Sequence, residues 1–346
     1  MTTDLANPLL RLRTPSDIVE AVPYLVGFQP ADSLVVLSLR GERLRVGLIA
    51  RVDLPAASSA ESCAREFTGY LKRDDATRAI VVFYPPSGGP SYPSVRPIAD
   101  AFTKRLKRSR IAVADVLCVC DDRWWSLHCT DDDCCPPGGT PVSHSTTSVT
   151  AATMIVAGQV VLSSRAELEQ TIAPVGGVVK AAMAHALWRT EIQLANRVMT
   201  GQRSAVTGET LELFGGIVHR RITTEPGTCD GALSIDNAAR LIIGFDDVQA
   251  RDEVITWFDG AWGDATRDLV TELVRRALPP WEVPTLTVFA WISYLQGNGA
   301  LAGMALDRAL TAEPDYSLAQ ILDQALTGAL NPDVFRALYR APNLLG

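Results

Sequence analysis

The chain has 346 residues, 47% of them hydrophobic and 21% charged, with a formal net charge of −7. That is ordinary globular composition, long enough for two domains with separate cores. The acidity is one-sided. Residues 1–150 carry 17 Lys+Arg and 17 Asp+Glu, whereas residues 151–346 carry 15 and 22, which argues against nucleic acid lying along the C-terminal half. The opening MTTDLANPLL has no basic stretch followed by an apolar one, so no signal peptide is read. A reducing cytoplasm with free thiols is expected for the seven cysteines.

In chain order, Thr14-Pro15-Ser16-Asp17 reads as a helix start. Thr14 caps, Pro15 suits the first helical position, and Asp17 favours the positive end. Pro23 and then Gly27-Phe28-Gln29-Pro30 are expected to keep this helix short. Ser33–Leu39 and Leu44–Val52 form a hairpin about Arg40-Gly41-Glu42. A helix near 58–73 leads to an apolar strand at Ala79–Tyr84. A second helix near 92–108 leads to the strand Val113–Cys120. Asp121-Asp122 then turns the chain into Trp124–Cys129. Two helical crossovers imply parallel pairing and two hairpins add antiparallel strands, so a mixed sheet flanked by helices is predicted.

Residues 130–148, rich in Asp, Pro, Gly, Ser and Thr, read as a linker. Beyond it the pattern is helical, with helices at 149–157, 164–172, 178–203, 207–222, 234–243, 246–258, 264–278, 284–296, 299–312, 317–328 and 333–340. The expected organisation is an α/β domain over 1–148 and an all-helical domain over 149–346. The charge-free run Val283–Leu306 is broken by Gln296-Gly297-Asn298-Gly299. It therefore reads as two buried helices and a turn rather than a membrane span. Ala302, Ala309 and Pro314 fall at the small-residue and proline positions of a tetratricopeptide-like helical hairpin. One such unit is too few for a solenoid. Trp257, Trp262, Trp281 and Trp291 are expected to anchor the helical core.

The run Thr14–Val35, TPSDIVEAVPYLVGFQPADSLV, resembles the opening of an actinobacterial domain-of-unknown-function family, the one numbered 4192. Cys129-Thr130 with Cys134-Cys135-Pro136-Pro137 resembles its central signature, and Trp291 to Ala325, including Ala305–Leu310, its ending. Two departures are Asp131-Asp132-Asp133 in place of an Asp-Pro pair, and Gly138 in place of an acidic residue. The resemblance implies no activity, so the site must be argued from chemistry.

Three regions could carry that chemistry. The first is the cysteine-rich corner, where Cys129, Cys134, Cys135 and His144 supply zinc-type ligands. The pairs are awkwardly spaced, and structural thiols or a Cys129–Cys134 redox pair are alternatives. Cys118 and Cys120 share one strand face and suit a core. The second is the loop Pro85–Pro90, with Ser87, Gly88 and Gly89, which follows a buried strand and precedes a helix whose free N–H groups suit a ligand. Asp121 and Asp122 end the neighbouring strand. The third is Gly27–Ser33, where Gln29, Asp32 and Ser33 make either a pocket edge or a capped turn. The basic cluster Lys104, Arg105, Lys107, Arg108 and Arg110 reads as a solvated helix end. No catalytic motif appears.

The favoured reading is a non-catalytic cytoplasmic module whose helical half binds a protein partner in an apolar or acidic groove between the last helices. No nucleic acid or membrane is expected. The alternative is a small-ligand binder or enzyme working at the sheet edge near Gly88-Gly89, Asp121-Asp122 and the cysteine-rich corner, with a concave pocket there.

Overall fold

In a computed structural model the chain is described over residues 12–87, 91–133, 135–143, 148–156, 159–223, 233–257 and 260–340. It divides into two compact units. One holds residues 1–168 and 328–331, the other residues 169–327 and 332–346.

The first unit begins with α1 (Pro15–Val26), whose N-terminus is a capping box. The Thr14 side chain accepts from the Asp17 N–H, while the Asp17 carboxylate accepts from the Thr14 N–H. Burial opposes ionisation of Asp17. Hydrogen bonds from the Arg13 and Thr14 backbones and from the Thr14 and Thr150 side chains outweigh it and lower the pKa. Pro23 does not stop the helix. It lies inside α1, buried with Val19, Val22 and Val26, and the chain leaves the helix only at Gly27, whose φ of 86° favours glycine. Packing of one apolar face therefore outweighs the hydrogen bond that proline removes.

The strands are β1 (Ser33–Arg40), β2 (Arg45–Asp53), β3 (Ala76–Tyr84), β4 (Ala112–Cys120), β5 (Arg123–Ser126) and β6 (Thr140–Pro141). They form one mixed sheet in the order β2-β1-β3-β4-β5-β6. The helix α2 (Ala60–Arg73) links β2 to β3, and α3 (Ser91–Arg108) links β3 to β4.

Only the second crossover joins parallel neighbours, because β1 lies between β2 and β3 and pairs antiparallel with each. The first crossover passes over one strand, so its two ends run the same way without touching. The two hairpins are present, and the two-residue β6 extends the sheet from within the segment read as a linker.

Alternate residues Leu34, Val36, Ala79, Val81, Phe83, Val116 and Cys118 pack with Phe67 and Leu71 of α2 and with Ile98, Phe102 and Leu106 of α3. The opposite parity, Val35, Leu37, Ile80, Val82 and Leu117, is buried as well. Strands buried on both faces read as continuous apolar runs. The first unit also holds α4 (Val149–Val156), which contacts α1. Beyond it, a short bridge joins Leu162 to Gly27 and Gln29.

The second unit is helical, with α6 (Gly177–Met199), α7 (Arg203–Thr223), α8 (Ile235–Gly244), α9 (Val248–Val254), α10 (Gly260–Arg276), α11 (Glu282–Leu295), α12 (Gly299–Ala312), α13 (Ser317–Thr327) and α14 (Pro332–Arg340). The short α5 (Arg165–Gln170) spans the boundary between the units. All fourteen residues of α11 are buried. It packs on α12 across the turn Gln296-Gly297-Asn298, where Asn298 caps α12 and the buried Ala302 and Ala309 allow close approach.

Glu282 is buried and paired with Arg308, whose Nε donates at 2.9 Å. Arg308 also reaches the carbonyls of Ile172 and Ala277. Trp291 is buried as expected, but Trp262 is 42% exposed and stacks edge-on against Trp257 instead of entering the core. Among the described residues no helix is long and apolar enough to cross a membrane.

Candidate functional site

At one end of the sheet, β1 begins, and β3 and β4 end. The register places Ser33 beside Tyr84, and Phe83 beside Cys118. A cavity of ≈ 410 Å³ opens there, within the range of about 300–1,000 Å³ usual for small-ligand sites. Its wall comes from several places in the first unit, α4 among them through Ala151. α1 contributes Glu20 and Tyr24, the loop into β1 contributes Gln29 and Asp32, and the end of β3 contributes Tyr84 to Ser87. The β4–β5 turn contributes Asp121 and Asp122, and the chain after β6 contributes Val142 and Ser143.

Each contributor is held by local structure. The turn Cys120-Asp121-Asp122-Arg123 joins directly paired strands with only two central residues, and these have φ of 49° and 57°. Such a turn needs the left-handed region twice, which Asp tolerates better than most side chains. Asp32 also has a left-handed φ, of 45°.

Beyond β5, Arg123 donates to the carbonyls of Gly138 and Gly139 at 3.1 and 2.8 Å, and Trp125 Nε1 donates to Pro137 at 3.1 Å. A Cβ on Gly139 would lie 2.5–2.9 Å from the Trp125 ring, at a φ of 75°. Only glycine fits, so Gly139 lets this loop close onto β5. The Val142 N–H donates to the Asp122 carbonyl at 2.8 Å, fixing Val142 and Ser143 at the rim.

The charge is one-sided. Among the described lining residues Glu20, Asp32, Asp121 and Asp122 carry carboxylates, and none is Lys, Arg or His. The floor is apolar, from Val19, Pro23, Pro30, Pro85, Val119 and Ala151. Tyr84 is buried, its hydroxyl has no hydrogen-bond partner among the described residues, and burial pushes its pKa up.

Of the residues singled out in the sequence, Ser87, Asp121, Asp122, Gln29 and Asp32 come together at this cavity. Gly88 and Gly89 lie outside the described residues. Ser33 turns away, donating to the Ala31 carbonyl and accepting from Arg51. Glu20 and Tyr24 were missed. Their helix was legible, but nothing in its period says that this flank faces the ends of strands far along the chain.

The cysteine corner is only partly described, because Cys134 and His144 lie outside the described residues. Cys129 and Cys135 are half-buried, and both the Cys129 thiol and the Cys135 N–H point to the Asp131 carbonyl. Among the described residues no three His, Cys, Asp or Glu side chains are grouped to hold a metal ion. Cys118 is fully buried, and burial, with Cys120 beside it, pushes its thiol up to about 12.

The family model described as a domain of unknown function, DUF4192, matches residues 15–333. The chain belongs to this family. Its match takes in α1, the whole sheet, every described wall of the cavity and the helices of the second unit through α13. No curated protein and no solved structure matches the chain.

Proposed function

We propose that the α/β unit of this DUF4192 protein binds a small organic cation in the cavity at the sheet edge. One observation carries the reading: a ≈ 410 Å³ concavity at the carboxyl ends of the parallel pair β3–β4, with four carboxylates and no basic side chain among its described walls. Ligand sites in open α/β sheets gather at such ends. A cavity walled by one sign of charge concentrates ligands of the other. A helix start following a strand by itself favours an anion, but the four carboxylates favour the opposite charge. Their placement around the cavity, with no metal-ligating group among the described residues, suits an extended amine or guanidinium. The apolar floor and Tyr24 would take the ligand's carbon skeleton, and a cation over a tyrosine face is favourable.

The test is a thermal-shift and titration screen of the whole chain. The cationic arm holds a diamine, a polyamine, a guanidino compound and a quaternary ammonium; the anionic arm holds nucleotides and sugar phosphates. A cation should raise Tm, with the shift weakened by salt and lost in Asp121→Asn/Asp122→Asn. Binding confined to anions, or binding of a cation unchanged in that variant, overturns the reading.

For the helical unit, a protein partner remains the second reading. The observation in its favour is an exposed apolar face on α6.

A further inference from the structure

α6 is 23 residues long, roughly 34 Å of helix. One face is buried through Met183, Ala186, Leu187, Thr190 and Leu194. The other carries Val178, Ala181, His185, Trp188, Ile192, Ala195 and Met199, spaced alternately three and four residues apart, and all seven are exposed. Val178 is 87% exposed, Trp188 57%, Ile192 51% and Met199 78%. This is a heptad seam, with Val178, His185, Ile192 and Met199 in one position and Ala181, Trp188 and Ala195 in the other. Alternate three- and four-residue spacing keeps a seam turned toward a partner helix along its whole length. A soluble surface has no reason to carry such a stripe unless something covers it.

We infer that the occupant is a second copy of this chain, with the two α6 helices packed antiparallel about a twofold axis. The inference rests on reading the helical unit as a docking module. A twofold interface must complement itself, and the order of large and small residues along the seam does so in one direction. In an antiparallel pair each layer joins one seam position to the other. Setting Val178 against the partner's Ala195 also sets Ala181 against Ile192 and His185 against Trp188, and the twofold repeats these three. The two layers that hold a small residue then each give it a larger partner.

A parallel pair would instead stack Ala181 on Ala181 and Ala195 on Ala195, leaving gaps, and crowd Trp188 on Trp188. The flanks agree with the antiparallel register. Arg189, already paired with Asp236 of its own chain, and Glu191 come opposite Ala182 and Ala184 of the partner, so like charges do not meet.

The six layers span roughly 26 Å of helix. Helices packed along that length cover on the order of 1,000 Å², at the lower limit of specific interfaces. The pair is therefore expected to form reversibly with concentration.

The test uses the full chain. Sedimentation equilibrium from about 5 to about 500 μM should show monomer and dimer exchanging by mass action. Trp188→Glu/Ile192→Glu should remain monomeric at every concentration with an unchanged Tm when dilute. Under mild oxidation Val178→Cys/Ala195→Cys should cross-link between copies, the 178–195 linkage being read by mass spectrometry, while Val178→Cys alone should not. A wild-type chain that stays monomeric, or a dimer indifferent to the charge substitutions, overturns the self-pairing. Cross-linking by Val178→Cys alone indicates a parallel pair and overturns the antiparallel register. A lower Tm of the charged variant in dilute solution shows that the chain itself covers the stripe, and the docking reading then fails with it.

Discussion

The two ends of the sheet treat carboxylates in opposite ways. At the end where β3 begins, Asp74 is buried and surrounded by donors. Arg40 Nε and the Leu48 N–H each reach it at 2.9 Å, and the Ser38 hydroxyl and a second Arg40 nitrogen close the set. At the end where β3 finishes, four carboxylates face a cavity that has no cation among its described walls. The first arrangement spends its charge inside the chain, on holding β1, β2 and the α2–β3 turn together. The second gathers charge of one sign along the wall of a cavity, where a ligand of the other sign would meet it. A carboxylate's burial and its ring of donors thus separate a structural acid from a candidate binding one.

The largest effect that could break this contrast is at Asp74. Asp74→Ala removes a buried acceptor of four hydrogen bonds and leaves the Ser38 hydroxyl and the Leu48 N–H without it, which should cost about 3–5 kcal/mol in chemical denaturation. A loss under 1 kcal/mol would put Asp74 in the same class as the rim acids. Next is Gly47, whose added Cβ would collide with Arg40 Nε and Asp74 Oδ2 and lie 2.7 Å from Ser38 Oγ. Gly47→Ala should cost about 1–3 kcal/mol by overpacking.

At the other end the sign reverses. Asp121→Asn/Asp122→Gly builds the turn pair that suits two left-handed residues, and should raise stability by about 0.5–1 kcal/mol while weakening ligand binding. The same variant would sharpen the contrast most, because the two readouts move in opposite directions.

The smallest effect lies in the core behind the cavity end, at Cys118. Its thiol is raised by burial from 9.0 to about 12. Below pH 9 both folded and unfolded chains hold the proton, so nothing is expected at neutral pH. Between pH 9 and about 12 only the folded state holds it, unfolding releases a proton, and stability falls as pH rises. Cys118→Val should reduce that alkaline slope and leave neutral stability nearly unchanged, as read from denaturation midpoints across the series.

Much of this was legible before the fold was known. The apolar runs at Ala79–Tyr84 and Val113–Cys120, the capping residues at Thr14 and Asp17 and the Asp121-Asp122 turn are local signals, and local physics decides them. Strand order is not local. The two crossovers looked alike in sequence, and only the position of β1 between β2 and β3 makes one of them a parallel neighbour and the other not. A two-residue strand such as β6 has no period to read. Of the cavity, the loop residues were visible because turns announce themselves, whereas Glu20 and Tyr24 needed the packing of α1 to bring them in. The stripe on α6 shows the remaining limit: its three-four spacing is present in the letters, but a buried and an exposed apolar face look the same until one of them is covered.

The burial of α11 on every side carries a consequence for how the protein is made. A helix with no outward face cannot be sheltered by any single neighbour, and its contacts include α8 and α10 upstream and α12, α13 and α14 downstream. Synthesis adds residues at about 5–20 per second, so for some seconds α11 exists without the helices that will cover it. The nascent chain then carries fourteen residues that belong nowhere but in a finished core. A message truncated between α11 and α13 would yield a product held back by chaperones or degraded, and α12 to α14 act in effect as the quality check on the helices translated before them.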